Sequence, residues 1–245
     1  PARSGDVGAS ARAGAGARRG RVGTGTGAAN LQFSAVAPAG KGSGVNFDTS
    51  TGLNGTITLN GRSVAFSNPR AAIAAGIALL PEDRKKEGII PLRSVAVNAA
   101  LPNFHKLTRA GVIRNTELRS QVNDIARNVN LRPLDIERSI RLFSGGNQQK
   151  AILCRWLMAG SDILIFDEPT RGIDVGAKGE IYKLIEQLVT AGRSIIVVSS
   201  ELPEILRLSD NVIVMRAGAL AGQLRRSELS EAAVMSLAIT GKLAA

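Results

Sequence analysis

Asp162-Ile163-Leu164-Ile165-Phe166-Asp167-Glu168 is a short apolar run closed by two adjacent carboxylates. Four apolar residues between acids are too few for a buried helix and read as a buried strand. On either side the pattern changes to helical. Gln148 to Ala159 reads as one helix and Gly179 to Ala191 as another, followed by a second apolar strand from Ser194 to Ser199. Helices alternating with apolar strands predict an α/β fold with a mostly parallel sheet covered on both faces. In such sheets ligands bind beyond the carboxyl ends of the strands, which is where Asp167 and Glu168 stand. Asp167 is then a candidate for holding Mg²⁺, and Glu168 for polarising an attacking water in phosphoryl transfer. Taken alone, the acidic pair has the plainer reading of a solvated strand end.

Immediately upstream stands Leu142-Phe143-Ser144-Gly145-Gly146-Asn147-Gln148-Gln149-Lys150. A serine followed by two glycines at a helix start presents a hydroxyl and unobstructed backbone N–H groups, an arrangement that favours phosphate oxygens. The plainer reading of such a start is a helix cap.

Further from this centre, Thr56 to Leu59, Asn60-Gly61 and Ser63 to Phe66 predict a β-hairpin on an Asn-Gly turn. Asn68-Pro69 opens an Ala-rich helix, a cap followed by proline in the first turn. Ile77 to Leu80 reads as a short strand ended by Pro81. Between Thr108 and Arg141 the residues Val112, Leu118, Val122, Ile125 and Val129 recur at helical spacing among charges and predict amphipathic helices. Val212 to Met215 and a last helix from Glu228 to Ile239 complete the pattern.

Residues 1–45 are rich in Gly and Ala with scattered Arg and show no period. Such a segment is expected to be disordered, or to be read in a non-native frame. It holds six Lys/Arg against one Asp, nearly half of the net charge of +11. With 3% aromatic residues and no recognisable module, that charge does not point to nucleic acid. No apolar run reaches the roughly 18 residues of a membrane-spanning helix. The single Cys154 and the lack of a secretory pattern suggest a cytosolic setting. Cys154 itself lies in an apolar run and reads as a core thiol. The one histidine, His105, reads as an ordinary surface or packing residue.

Taken together, Ser144 to Gln148 resembles the signature motif of ATP-binding-cassette (ABC) ATPases, residues 163–168 the Walker B strand with its following glutamate, and Pro169 to Asp174 the stretch through the D-loop. Ser-Gly-Gly-Asn-Gln-Gln-Lys followed by Asp-Glu-Pro-Thr-Arg-Gly-Ile-Asp is particularly similar to the C-terminal cassette of ribose, galactose and xylose importers. The resemblance covers about residues 46–243. Gly55 to Gly61 matches the family's early β-hairpin, and Gly76 to Gly88, with Pro81-Glu82-Asp83-Arg84-Lys85, its Q-loop region. It implies a P-loop NTPase-like cassette over 46–245, with an N-terminal β-hairpin region and a helical subdomain near 106–150.

By that resemblance, ATP and Mg²⁺ are the ligands, and Ser144, Gly145, Gly146, Asn147 and Gln148 serve the γ-phosphate of ATP held by a second cassette. Asp167, as metal ligand, Glu168 and Asp174 belong to this chain's own site. The segment from about Glu87 to Phe104 touches a transmembrane permease, and an extracytoplasmic sugar-binding protein takes part indirectly. The location implied is the cytoplasmic face of the membrane, and the activity that of a monosaccharide-transporting ATPase.

Three departures bear on catalysis. A Walker A loop would read Gly-x-x-x-x-Gly-Lys-Ser/Thr shortly before Phe47. Pro38-Ala39-Gly40-Lys41-Gly42-Ser43-Gly44 stands there instead. Glu82 replaces the Q-loop glutamine, and Ser200 replaces the switch histidine. These changes imply an impaired site of the chain's own. Two alternatives stay open: a truncated or frameshifted remnant without catalysis, and a soluble cassette protein unconnected with transport, against which Asn147 to Lys150 and Arg171 to Asp174 argue.

Overall fold

In a computed structural model the described residues are 32–36, 45–48 and 56–243, with side chains from 57. The chain runs through β1 (Gln32–Val36), β2 (Val45–Asp48), β3 (Thr56–Leu59) and β4 (Arg62–Val64), then α1 (Pro69–Ala74) and β5 (Ile77–Leu80). A π-helical turn, Arg84–Gly88, leads to α2 (Val95–Ala100), α3 (Phe104–Leu107), β6 (Thr108–Arg109), β7 (Val112–Ile113) and α4 (Asn115–Asn128). The second half is α5 (Gly145–Ala159), β8 (Ile163–Asp167), α6 (Val175–Thr190), β9 (Ser194–Ser199), α7 (Leu202–Leu208), β10 (Asn211–Arg216), β11 (Ala219–Arg225) and α8 (Glu231–Thr240).

Six strands form the main sheet in the order β11-β10-β1-β9-β8-β5. Parallel pairing joins β5 to β8 and β8 to β9, where helices carry the chain across. β1 lies antiparallel between β9 and β10, and β10 pairs antiparallel with β11. The sheet is thus parallel around the candidate carboxylates and antiparallel beyond β9. Of the stretch expected to be disordered, Gln32–Val36 joins the sheet as β1; the remainder of 1–44 lies outside the described residues.

The two faces of the parallel unit are unequally covered. Ala78, Leu80, Leu164, Phe166, Ile195 and Val197 alternate along their strands and are almost wholly buried. They belong to one cluster with Ala151, Ile152 and Leu153 of α5 and Ile181 and Ile185 of α6. Each large side chain so buried contributes roughly 1.5–3 kcal/mol. On the opposite face Leu79 is 47% exposed and Ile165 only partly covered. The expectation of full cover on both faces therefore holds for one face and fails at the β5 edge. A second cluster, with Ile205, Val212, Val214, Leu224, Val234 and Leu237, seats α8 on β10 and β11. There α8 comes so close that a Cβ on Gly222 would lie 2.8 Å from Leu237 Cδ2.

The Asn-Gly hairpin forms as β3 and β4, with Asn60 and Gly61 both at positive φ (51° and 76°) as a two-residue turn of that hand requires. Elsewhere the boundaries move. Val112, expected on a helix, lies with Ile113 in the β6–β7 hairpin, whose turn at Ala110-Gly111 also takes positive φ, and Val112 is exposed. α6 starts four residues before Gly179, because the Asp174 carboxylate accepts a hydrogen bond from Ala177 N at 2.9 Å and caps it. β11 follows a turn at Ala217-Gly218 that the sequence pattern did not disclose.

Candidate functional site

β8 and β9 run parallel with Asp167 opposite Val198, so the chain leaving β8 meets the chain leaving β9. Glu168 follows at φ 44°, a left-handed conformation rare outside glycine and held by its surroundings. Its amide donates to Val198 O at 2.8 Å, and its Oε1 accepts from Ser200 N at 2.8 Å. The carboxylate of Glu168 and the loop at Ser200 are thereby brought together. Asp167 is half-buried, and burial, followed by the neighbouring charges of Glu168 and Glu87, pushes its pKa above the usual carboxylate value. Glu82, at the other side of this end of the sheet, is exposed and ion-paired with Arg171. Among the described residues no group of three or more His, Cys, Asp or Glu is arranged as a metal cage.

The start of α5 lies in a different setting. Ser144 is exposed and makes no side-chain cap to its own helix; its Oγ accepts from Asn147 Nδ2 at 3.0 Å. Asn147 Oδ1 accepts in turn from Arg132 N at 2.8 Å. Gly146 is pressed against α6, where a Cβ would lie 3.2 Å from Ala177 Cβ. The first turn of this 15-residue helix, carrying its positive dipole end, receives no side-chain cap from Ser144.

Gln148 is placed otherwise than a phosphate ligand would be. It is 6% exposed, its Nε2 donates to Phe143 O at 3.1 Å and Ile140 O at 3.4 Å, and its Oε1 accepts from Arg84 Nε at 3.4 Å. It braces the turn from inside. Asp174, likewise read as a nucleotide contact, acts here as the cap of α6.

Sequence reasoning assigned no role to several buried polar residues. Lys150 Nζ reaches Glu180 at 2.6 Å and Asn130 O at 2.8 Å, tying α5 to α6 and to the end of α4. Arg155, buried on α5, donates from Nε to the Asn98 carbonyl at 2.9 Å, and burial lowers its pKa to about 10. Asn98 is fully buried on α2; its Oδ1 accepts from Ile90 N at 2.8 Å and its Nδ2 donates to Ile90 O at 3.1 Å and Ser94 O at 3.0 Å. Leu92, in the loop so held, is 74% exposed. No local pattern marks these residues, since their partners lie on other elements.

Behind Glu168, Glu204 of α7 is buried against the hydroxyls of Ser199 and Thr170, which do not reach standard hydrogen-bond geometry. Burial raises its pKa, the hydroxyls offset part of the rise, and Glu201 and Glu168 add to it. Glu201 itself is ion-paired with Lys178 at 2.5 Å. A carboxyl whose folded pKa is raised binds its proton more tightly in the folded chain than in the unfolded one. Its contribution to stability is therefore fully present below the unfolded value of 4.5 and is lost as pH rises through the folded pKa. Glu204→Gln is expected to remove this loss and to leave the protein more stable than the parent at neutral pH. Urea unfolding of both proteins at pH 4 and pH 7.5 checks it; an equal effect at both pH values would refute the assignment.

A nucleotide-cassette fold with a signature-like helix start and a Walker B-like strand end defines the class, and the chain belongs to the ABC transporter family, whose pattern matches residues 46–171. It is 47% identical over 184 residues to a putative ribose/galactose/methyl galactoside import ATP-binding protein of Agrobacterium fabrum, covering 75% of this chain and 37% of that protein. It is 44% identical over 192 residues to a xylose import ATP-binding protein of Photobacterium profundum, covering 78% and 38%. The chain thus spans well under half the length of these relatives. Among solved structures, a dimeric ATP-binding cassette in a post-hydrolysis state bound to ADP and Pi superposes with a TM-score of 0.58 at 18% identity, covering 71% of this chain and 74% of that one. Among the described residues no helix is long and apolar enough to cross a membrane.

Proposed function

We propose that the chain is an ATP-binding and ATP-hydrolysing subunit of a monosaccharide importer that contributes its signature motif to a composite site, while its own site is impaired. The observation that carries this reading is the start of α5, where an exposed serine makes no side-chain cap to its own helix. Such a start suits the γ-phosphate of ATP presented by a second cassette. Ser144, Gly145 and Asn147 meet that phosphate; Gly146 lets α5 approach α6, and Gln148 holds the turn from behind.

At the chain's own site Asp167 would hold Mg²⁺, which ordinarily binds through one or two carboxylates together with substrate phosphates, so the absence of a protein cage is no obstacle. The ion would supply charge neutralisation for the phosphates. Glu168, fixed by the Ser200 amide, is placed to accept a proton from water, and Glu82 is engaged by Arg171 rather than free for water or metal. The loop that presents Leu92 is the part offered to a transmembrane permease at the cytoplasmic face of the membrane, with an extracytoplasmic sugar-binding protein acting beyond it.

The relatives' import of ribose, galactose or xylose, in the words of their names, supports a simple sugar as cargo.

Calorimetric titration of the chain with ATP and Mg²⁺, alongside Asp167→Asn, tests the half-site reading. No saturable binding is expected from the chain alone, and ATP-dependent association is expected on adding a cassette with an intact Gly-x-x-x-x-Gly-Lys-Ser/Thr loop. Saturable micromolar binding by the chain alone, weakened by Asp167→Asn, would overturn the reading and make the chain an active cassette. Failure to associate under any condition would favour a remnant without catalysis, a reading to which the exposed Leu79 lends some weight.

A further inference from the structure

Arg84 opens the π-helical turn after β5, and its guanidinium reaches three places far apart in sequence. Nε donates to Gln148 Oε1 at 3.4 Å, Nη1 to Arg171 O at 2.8 Å and Nη2 to Gly172 O at 3.1 Å. The turn is also packed on α5 directly, for a Cβ on Gly88 would lie 2.7 Å from Ile152 Cδ1. At Gly145 the fit is close: a Cβ there would stand 2.5 Å from Arg84 Nη2 and 3.1 Å from Gly172 O. Gly172 takes φ 64°, which turns its carbonyl toward the fork. Two residues earlier, Glu82 pairs with the side chain of Arg171, so the same short segment grips the 171–172 loop by its charge and by its backbone. Every acceptor of Arg84 is neutral, and no ion pair involves it among the described residues. What the site uses is the planar fork, with several donors in one rigid plane, which a lysine lacks.

We propose that Arg84 is a positioning residue that holds the start of α5 and the Arg171–Gly172 loop in fixed register, so that both are presented to one ligand as a single surface. This rests on the reading of the α5 start as a site for partner-held ATP and says how that site is kept in shape. Gln148 is the intermediary on one side and the two loop carbonyls on the other. Charge at residue 84 is insufficient; the fork is required.

The test uses the full chain, ¹⁵N-labelled and without nucleotide, as Arg84→Lys and Arg84→Gln beside the parent. Amide hydrogen exchange is followed at Gln148, Arg171 and Ile173, whose N–H groups donate to Ser144, Glu168 and Thr170 carbonyls respectively. The glycine amide signals of Gly145 and Gly172 and the melting temperature are recorded as well. Expected is exchange about tenfold faster at all three amides in both variants, with Gly145 and Gly172 signals shifting together and melting little changed. Parent-like exchange in Arg84→Lys would overturn the proposal by showing that charge suffices. A response in only one of the two loops would overturn it too. Unfolding of both variants would also count against it, since a fork that merely aligns two loops is not needed by the core. Because no ATP is present, failure here is separable from failure of the half-site reading, which the calorimetry and hydrolysis measurements address.

Discussion

Ser144→Asp is expected to lower ATP hydrolysis by the assembled importer by about 10² or more while leaving the fold intact or slightly firmer. The two effects separate because the substitution acts oppositely on them. Aspartate is as good a helix N-cap as serine, and its negative charge at the N-terminus of α5 complements the helix dipole. The Asn147 amide that now meets Ser144 Oγ finds a carboxylate in its place. A γ-phosphate approaching the same amides meets a like charge instead of a hydroxyl. Removing a single donor from a preorganised oxyanion site typically costs 10²–10³ in rate, and adding a repelling charge costs no less. Phosphate release from vesicles carrying the importer, with the melting temperature of the isolated chain, checks both halves. Glu168→Gln in the same assembly should change hydrolysis by only a small factor if, as proposed, it belongs to the impaired site. Retained hydrolysis in Ser144→Asp, or a large loss in Glu168→Gln, would reverse the assignment of the two sites.

Asn98→Ala should cost about 3 kcal/mol of stability, a large fraction of what holds a domain together. The amide of Asn98 gathers the backbone of Ile90 and Ser94 from inside a wholly buried position. Alanine leaves the Ile90 N–H without its partner, while Ile90 O keeps the Arg93 amide and Ser94 O the amide of residue 98, and it opens a gap beside the cationic Arg155, whose Nη2 stands 3.5 Å from Asn98 Oδ1. Buried polar groups stripped of their partners cost about 1–3 kcal/mol each, less what water can restore once the exposed loop loosens. A lowered urea midpoint with an unchanged m-value is the expected signature. A shift of a few tenths of a kcal/mol would mean that the 90–94 loop is held by its neighbours alone. Such a result would detach α5 from the loop that presents Leu92.

The parts of the fold legible in the sequence are those dictated by neighbours along the chain. The apolar run before Asp167, the Asn60-Gly61 turn and the helix after Ser144 each carry their cause within a few residues. The carboxylate pair and the serine start are readable for the same reason. What escaped depends on which elements meet. Gln148 reads as a phosphate contact by the resemblance, and only the meeting of Arg84, 64 positions away, with the Phe143 carbonyl shows it held inside the turn. Asp174 reads as a ligand by its place in the D-loop-like stretch, and Gly176 just after it obscures that α6 begins there with Asp174 as its cap. The turns at Ala110-Gly111 and Ala217-Gly218 escaped because alanine is a poor signal of positive φ, although the following glycine is a fair one. Val112 was drawn into a helical period by coincidence of spacing with Leu118 and Val122.

The direction of β1 has its own outcome. Gln32 lies opposite Ser199 and Val36 opposite Ile195, so the chain leaves β1 at the foot of the sheet, where β8 and β9 begin. Asp167, Glu168 and Ser200 stand at the head. A phosphate-gripping loop serves such acids when it emerges from a strand pointing the same way as they do. Here the strand between β9 and β10 runs antiparallel to both, so the chain leaves it at the far end. The polarity of five residues thereby sets at which rim of the sheet the chain leaves them, the rim opposite the one where Asp167 and Glu168 stand.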